Sequence, residues 1–542
     1  MGRYLYGASI QGIQSYIFQT NELKDIIGAS ELVNKICDDF VDTYGEKSRN
    51  KGEMIIHAAG NIKCIFDDEA ACRRAVRDFP RRAMEMAPGI TISQAVVKLE
   101  DNGYSEKAEE LERLLQAQRN HPVKSLTTGL MAMERSRTTG LPATQIEKKE
   151  EKEKENGKET VEFLDEGTMA KRGIVKKEKS NQSDQSEDLY FKLTGDKIES
   201  KHRPYDTKDL TDRNDWIAVI HADGNGLGEI VAKIGKDSKV MSRFSTELDN
   251  ATLDAAREAY DAIIRKEAEK EAAEKAKKLP IRPVVIGGDD LTVICRGYLA
   301  VDFVTAYLKA FEVQTKKHFE NLIPNATDTE TYALLSTGLT ACAGIAFIKS
   351  SYPFYYGYDL AEALCGEAKK DAKSDKVKEA NGNQAPSCLM FHKVQSSFVE
   401  DYAEIKRKEL TTVDGGSLCF GPYYLNKESV DKVEGRKRWT IKELSEIVDK
   451  LTKEDNNRVK TAIRQWLTLM HEDAGAAKQH SKRVKAVNLD SEFISIYDSV
   501  STGIIKKDAD GKDKDPKLSP AYDILSLLTI IEQETKPNQK TK

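Results

Sequence analysis

Two short segments hold the residues best suited to chemistry. His221-Ala222-Asp223-Gly224-Asn225-Gly226-Leu227-Gly228 sets one carboxylate before a run of glycines, and Gly287-Gly288-Asp289-Asp290 sets two more after a glycine pair. Each follows an apolar run of strand type, Trp216 to Ala222 and Pro283 to Ile286. If those strands are neighbours, Asp223 and Asp289 converge although they are 66 positions apart. Clustered carboxylates repel unless a divalent cation neutralises them, and an all-oxygen donor set suits Mg²⁺ or Mn²⁺. Two such ions about 4 Å apart would hold an attacking hydroxyl and a leaving pyrophosphate in line. Asp223, Asp289 and Asp290 are therefore the candidate catalytic and metal-binding residues, Asp290 assisting the other two. Gly224, Asn225, Gly226 and Gly228 form the candidate nucleotide-binding loop, where backbone N–H groups and a helix N-terminus face a triphosphate. Gly287 and Gly288 permit the tight turn that presents the aspartates. Lys369, with Lys370 at the end of a later helix, is a candidate phosphate contact, although a solvated helix end explains it equally. His221 is read as packing on the strand's other face.

Neither segment decides the matter alone. Gly and Asp favour any hairpin turn, and DGNGLG could be a calcium loop, yet it lacks the spaced acidic ligands and final Glu of an EF-hand. Together, each ending a buried strand in the expected order, they point to nucleotide polymerisation.

The elements that must position these residues occur twice. With 542 residues, several domains are expected. In residues 1–100 a strand (Tyr4 to Ser9), a helical stretch (Ile13 to Cys37), two short strands (Met54 to His57, Ile62 to Phe66), a helix and a strand (Thr91 to Leu99) follow one another. Residues 211–395 repeat that order, with helices over Glu247 to Lys278 and Val301 to Phe319 and a strand over Gly338 to Ile348. The strand–helix–strand–strand–helix–strand order is that of a ferredoxin-like unit. The expected fold is α+β: two ferredoxin-like palm domains, the first degenerate, plus a helical C-terminal domain over 396–542. Aligning Gly226 with Gly12 and Gly288 with Gly60 sets Asp223 opposite Ser9, Asp289 opposite Asn61 and Asp290 opposite Ile62. One site is armed and its twin is empty.

Residues 101–210 form an inter-palm segment. Within it, 11 of 13 residues from Glu147 to Glu159 are charged, and about 145–188 reads as a solvated, disordered insert. In the C-terminal region Thr440 and Glu443 have capping-box spacing. Apolar stripes there (Ile441, Leu444, Val448; Val459, Ile463, Trp466; Ile524, Leu527, Leu528) read as plain core.

Charge and cysteine usage exclude several classes. Against 84 Lys+Arg stand 89 Asp+Glu, a net of −5, so this is no basic nucleic-acid coat. No apolar run approaches the roughly 18 residues of a membrane span, and no secretory leader is expected. The eight cysteines form no CxxC pair and fit a reducing cytoplasm.

The motifs in combination resemble the large-subunit polymerase/cyclase family of type III CRISPR effectors. The residues that carry the likeness are HADGNGLG with IGGDD, Ser351 to Phe354, Asp359 to Leu364 and Phe391-His392-Lys393. Gln11 to Ile17 and Thr138 to Ala143 are similar to that family's first palm and its inter-palm segment. The resemblance implies a protein that joins ATP into cyclic oligoadenylate signals in antiviral defence, with RNA and CRISPR effector subunits as partners. Two departures stand out: there is no His-Asp dipeptide of an HD nuclease, and no cysteine pairs between the palms. Two alternatives remain open, a scaffold subunit that binds RNA and partner subunits, and a diguanylate-type cyclase.

Overall fold

In the computed structural model, one strand order is built twice. The described residues are 2–48, 52–58, 60–99, 104–121, 132–150, 159–180, 188–211, 215–235, 237–272, 278–322, 335–396, 401–433, 437–488, 490–501 and 518–535. The first unit runs β1 (Arg3–Gln11), α1 (Ile13–Ile17), α2 (Leu23–Tyr44), β2 (Glu53–Ala58), β3 (Asn61–Phe66), α3 (Glu69–Met86), β4 (Thr91–Leu99) and α4 (Tyr104–Arg119). Its antiparallel sheet has the order β2-β3-β1-β4, that of a ferredoxin-like unit.

Next come a hairpin, β5 (Gln145–Glu150) with β6 (Glu159–Leu164), and helices α5 (Glu166–Lys179) and α6 (Leu189–Thr194). The second unit runs β7 (Trp216–Gly224), α7 (Leu227–Ile234), α8 (Ser238–Ala259), α9 (Lys266–Ala272), β8 (Ile281–Gly287), β9 (Asp290–Arg296), α10 (Ala300–Glu320), β10 (Ala341–Lys349) and α11 (Phe354–Ala372). Its strands β8-β9-β7-β10 repeat the first order, and β11 (Cys388–Lys393) and β12 (Tyr423–Tyr424) extend the sheet to six strands. Beyond it lie helices Ile441–Thr452, Asn457–Glu472, Ala474–Val487, Ser491–Ser501 and Ala521–Thr535. Both halves of the Thr440–Glu443 capping box are present.

Strand β7 is central and buried on both faces, so its alternate side chains enter two different cores. Trp216, Ala218, Ile220 and Ala222 join one apolar cluster; Ile217 and Val219 join the other. The two units are interlocked: α2 packs on β8, and α8 packs on β2. Ser30 bonds the Val284 carbonyl, and Ser242 Oγ donates to the Met54 carbonyl at 3.3 Å.

Two expectations are corrected. The stretch 145–188 is not a disordered insert over its described residues. Arg172 and Lys171 on α5 are buried. Arg172 pairs with Asp25 on α2, Glu147 on β5 and Glu162 on β6. Lys171 Nζ donates to the Tyr16 carbonyl at 2.8 Å. The helices α2 and α5 touch so closely that a Cβ on Gly28 would fall 2.0 Å from the Lys171 carbonyl oxygen. Of the charged run, Glu147 joins this ion network, and Leu164 and Val175 enter the core. The six-stranded sheet also does not end before 396, because Tyr423 and Tyr424 pair with Leu389 and Cys388.

Candidate active site

The strand registers bring the aspartates together, though not quite as the motif alignment has it. Ala222 pairs with Leu291 across β7 and β9, so the next step sets Asp223 beside Asp290. Gly287 pairs with Asp290 across β8 and β9, which leaves Gly288-Asp289 as a two-residue turn. In the first unit Ser9 pairs with Asn61, and Ala58 with Asn61. Asn61 therefore corresponds to Asp290, and Gly60 to Asp289. The motif alignment is one residue out because it matches glycines, whereas register is fixed by backbone pairing.

His221 and Asp223 are two residues apart and share a face, which corrects the sequence reading of His221. Its Nδ1 lies 3.2 Å from Thr292 Oγ1, and its ring meets Tyr358 edge-on. Burial lowers its pKa to about 4, so it is neutral at pH 7. One ligand atom each of His221, Asp223 and Asp290 lies within 4.8 Å of the others. Asp289 is not part of that group. It sits on the turn against Gly224, where a Cβ would fall 2.9 Å from the Asp289 Cβ.

The site is electrostatically frustrated. Burial, then the neighbouring carboxylates, push Asp289 up to about 8 and Asp290 up to about 7. Lys369, from α11, forms an ion pair with Asp223 and donates to the Gly224 carbonyl at 2.9 Å. Burial works against the Lys369 charge, but Asp223 outweighs it and its pKa rises. Beneath the cluster Tyr307 is fully buried and feels all three carboxylates, and its hydroxyl has no hydrogen-bond partner. Half-buried carboxylates clustered beside the Lys369 ammonium, with the oxygens of Asp223 and Asp290 in reach of one point, fit a hard divalent cation.

The cluster stands between two cavities. One, of about 700 Å³, is lined by Asp223, Asp289, Gly224, Asn225, Gly226 and Gly228, together with Lys233, Lys369, Lys373 and Lys378. Helix α7 starts there, with Gly226 as its left-handed N-cap (φ 79). Asn225 has a different task from the one expected: its side chain is buried and donates to Thr340 Oγ1 at 3.1 Å, fastening the loop to β10. The other cavity, of about 430 Å³, lies between the two units. Asp290, Gly287 and His221 line it from one side, Gly12, Gln14 and Asn34 from the other. Gln14 Nε2 crosses to the Tyr358 hydroxyl at 3.0 Å.

The first unit keeps the architecture and drops the charge. Gly12 is the left-handed N-cap of α1 (φ 60), as Gly226 is of α7. Ser9 Oγ donates to Asn61 Oδ1 at 2.9 Å, and Arg119 Nη2 donates to Ser9 Oγ at 3.0 Å. Arg119 ends α4 as Lys369 approaches the end of α11. Sequence reasoning missed Arg119, although carrying the repeat on to the helix after the fourth strand would have found it.

A family model described as Cas10/Cmr2, second palm domain, matches residues 216–378. The fold resembles solved structures of a Csm1–Csm4 cassette in complex with cA4 (TM-score 0.53, 14% identity), with cA3 (0.54, 13%) and with AMPPNP (0.53, 14%). Each of these alignments covers 99% of this chain and 70% of the other. Among curated proteins no sequence matches the chain. Residues 216–378 thus match the second palm domain of Cas10/Cmr2, and the fold of the chain resembles that of the Csm1–Csm4 cassettes.

Proposed function

We propose that the chain is a metal-dependent nucleotidyltransferase that condenses ATP into cyclic oligoadenylate-type messengers, as part of type III CRISPR defence. The observation that carries this is the Asp223–Asp290 pair, held side by side between a lysine-lined cavity and the inter-palm cavity. In this reading Asp223 and Asp290 hold divalent Mg²⁺ or Mn²⁺, with Asp289 at the outer edge. Metal so held would favour ionisation of a 3′-hydroxyl and steady the charge on the α-phosphate. Lys369, Lys373 and Lys378, with the α7 N-terminus, bind and orient the triphosphate of the donor. The inter-palm cavity holds the second nucleotide, and the first palm supplies its wall. Support for adenine as the base comes from the similar cassettes, which are described with cA3, cA4 and AMPPNP. Their Csm4 subunit makes an equivalent subunit the expected partner here.

Melting temperatures measured with ATP or GTP and Mg²⁺ test the reading. The carboxylates cannot supply six oxygens to each ion, so ATP and Mg²⁺ together should raise the melting temperature, by mass-action linkage. Asp223→Ala should remove most of that shift. A shift with GTP alone would favour a diguanylate-type cyclase. No nucleotide-linked shift, with tight RNA binding instead, would favour a scaffold.

A further inference from the structure

The turn that carries Asp289 and Asp290 is gripped by a helix that belongs to neither of its strands. Asp249 and Thr252 stand three residues apart on α8, on one face. Asp249 Oδ1 accepts the Gly288 N–H at 2.9 Å, and Thr252 Oγ1 donates to the Gly288 carbonyl. Both backbone polar groups of one turn residue are thus held by side chains. Gly288 has a φ of 60 and Thr252 is fully buried.

The first palm offers an internal comparison. Helices α2 and α8 each have 22 residues, and Cys37 and Thr252 occupy the same position along them. Cys37 lies against Gly60, the counterpart of Asp289, through a backbone hydrogen bond. Asn34 stands where Asp249 stands.

The three clustered carboxylates are half-buried and repel, and the two-residue turn presents two of them. We propose that Asp249 and Thr252 are positioning residues: they latch the Gly288-Asp289 turn so that Asp290 stays beside Asp223. A fourth carboxylate so near the cluster serves a purpose because it accepts an N–H that would otherwise be unpaired. This inference rests on the nucleotidyltransferase reading, and only the latch couples the metal requirement to the mobility of the turn.

The test compares wild type with Asp249→Ala, Asp249→Asn, Thr252→Val and Thr252→Ser, by NTP turnover with Mn²⁺ and by hydrogen exchange over residues 286–291. Asp249→Ala and Thr252→Val should each lower kcat about tenfold, the scale of one lost buried hydrogen bond. They should raise the Mn²⁺ concentration needed for half-maximal rate, leave the ATP KM near wild type, and speed exchange in the turn. Asp249→Asn keeps the acceptor oxygen and Thr252→Ser keeps the hydroxyl, so both should recover most of the rate. Wild-type kcat and wild-type exchange in Asp249→Ala and Thr252→Val would overturn the latch. If Asp249→Ala does not fold, the Thr252 pair decides alone. Failure of wild type to turn over any NTP would sink the functional reading, and exchange would still report on the latch.

Discussion

Asp223, next to last in β7, stands directly beside Asp290, which opens β9, and the ammonium of Lys369 closes on Asp223 from α11. Every part of that arrangement comes from a different element: a central strand, a hairpin and the helix after the fourth strand. The first palm builds the same scaffold around Ser9, Asn61 and Arg119, with a hydroxyl and an amide where the second palm gathers carboxylates and a guanidinium in the place of Lys369.

Removing the carboxylates should separate chemistry from folding. Asp223→Ala, or Asp290→Ala, should abolish NTP turnover while the melting temperature stays level or rises, because a buried repulsion is relieved. Ser9→Ala and Asn61→Ala should keep the metal chemistry. Calorimetry alongside turnover checks both halves.

Lys369→Met should raise the ATP KM and lower kcat together. The variant removes a triphosphate contact and frees Asp223 from its ion pair, while the long apolar stem still packs. Steady-state kinetics read both constants; an unchanged KM would remove Lys369 from the binding site.

The inter-palm hairpin should prove structural. Arg172→Ala strands Asp25, which is 1% exposed, and should cost roughly 3–5 kcal/mol, the usual cost of breaking a buried ion pair from one side. Gly28→Ala should weaken the same interface, since the new Cβ would strike the Lys171 backbone. Urea denaturation measures both.

Stability should also fall as pH rises from about 4 to about 7. Asp523 is buried in the last helix, and burial pushes its pKa up to about 7 although the Tyr423 hydroxyl donates to it at 2.7 Å. An unfolded Asp titrates near 4. Its contribution is therefore complete below about pH 4 and lost as pH climbs through about 7, on the order of 4 kcal/mol. Asp523→Asn should flatten that slope. Glu31, raised to about 7 by burial, leaves part of it in place. Denaturation midpoints at several pH values give the slope.

Much of the fold is legible in the sequence, for identifiable reasons. The helix expected over Val301–Phe319 spans Ala300–Glu320, and the strand expected over Gly338–Ile348 spans Ala341–Lys349. Both are long and strongly patterned. The convergence of the second-palm aspartates is legible through the repeat. Three things are not. The backbone neighbour of Asp223 is Asp290, because Asp289 leaves the ladder on a two-residue turn and meets Asp223 through its side chain instead. The charged run from Glu147 reads as solvated because composition cannot show that Arg172 finds three carboxylates in space. The grip of Asp249 and Thr252 on Gly288 has no local signal, since helix and turn are 36 or more residues apart.

The most direct measurement is product formation by the purified protein. Wild type, Asp223→Ala and Asp290→Ala are incubated with ATP and Mn²⁺, with and without the partner subunit and RNA, and products are resolved by mass. The account predicts oligomers of AMP, linear and cyclic, from wild type and none from either variant. Oligomers from Asp223→Ala or Asp290→Ala at the wild-type rate would contradict it, and so would a wild type that forms none under any of these conditions.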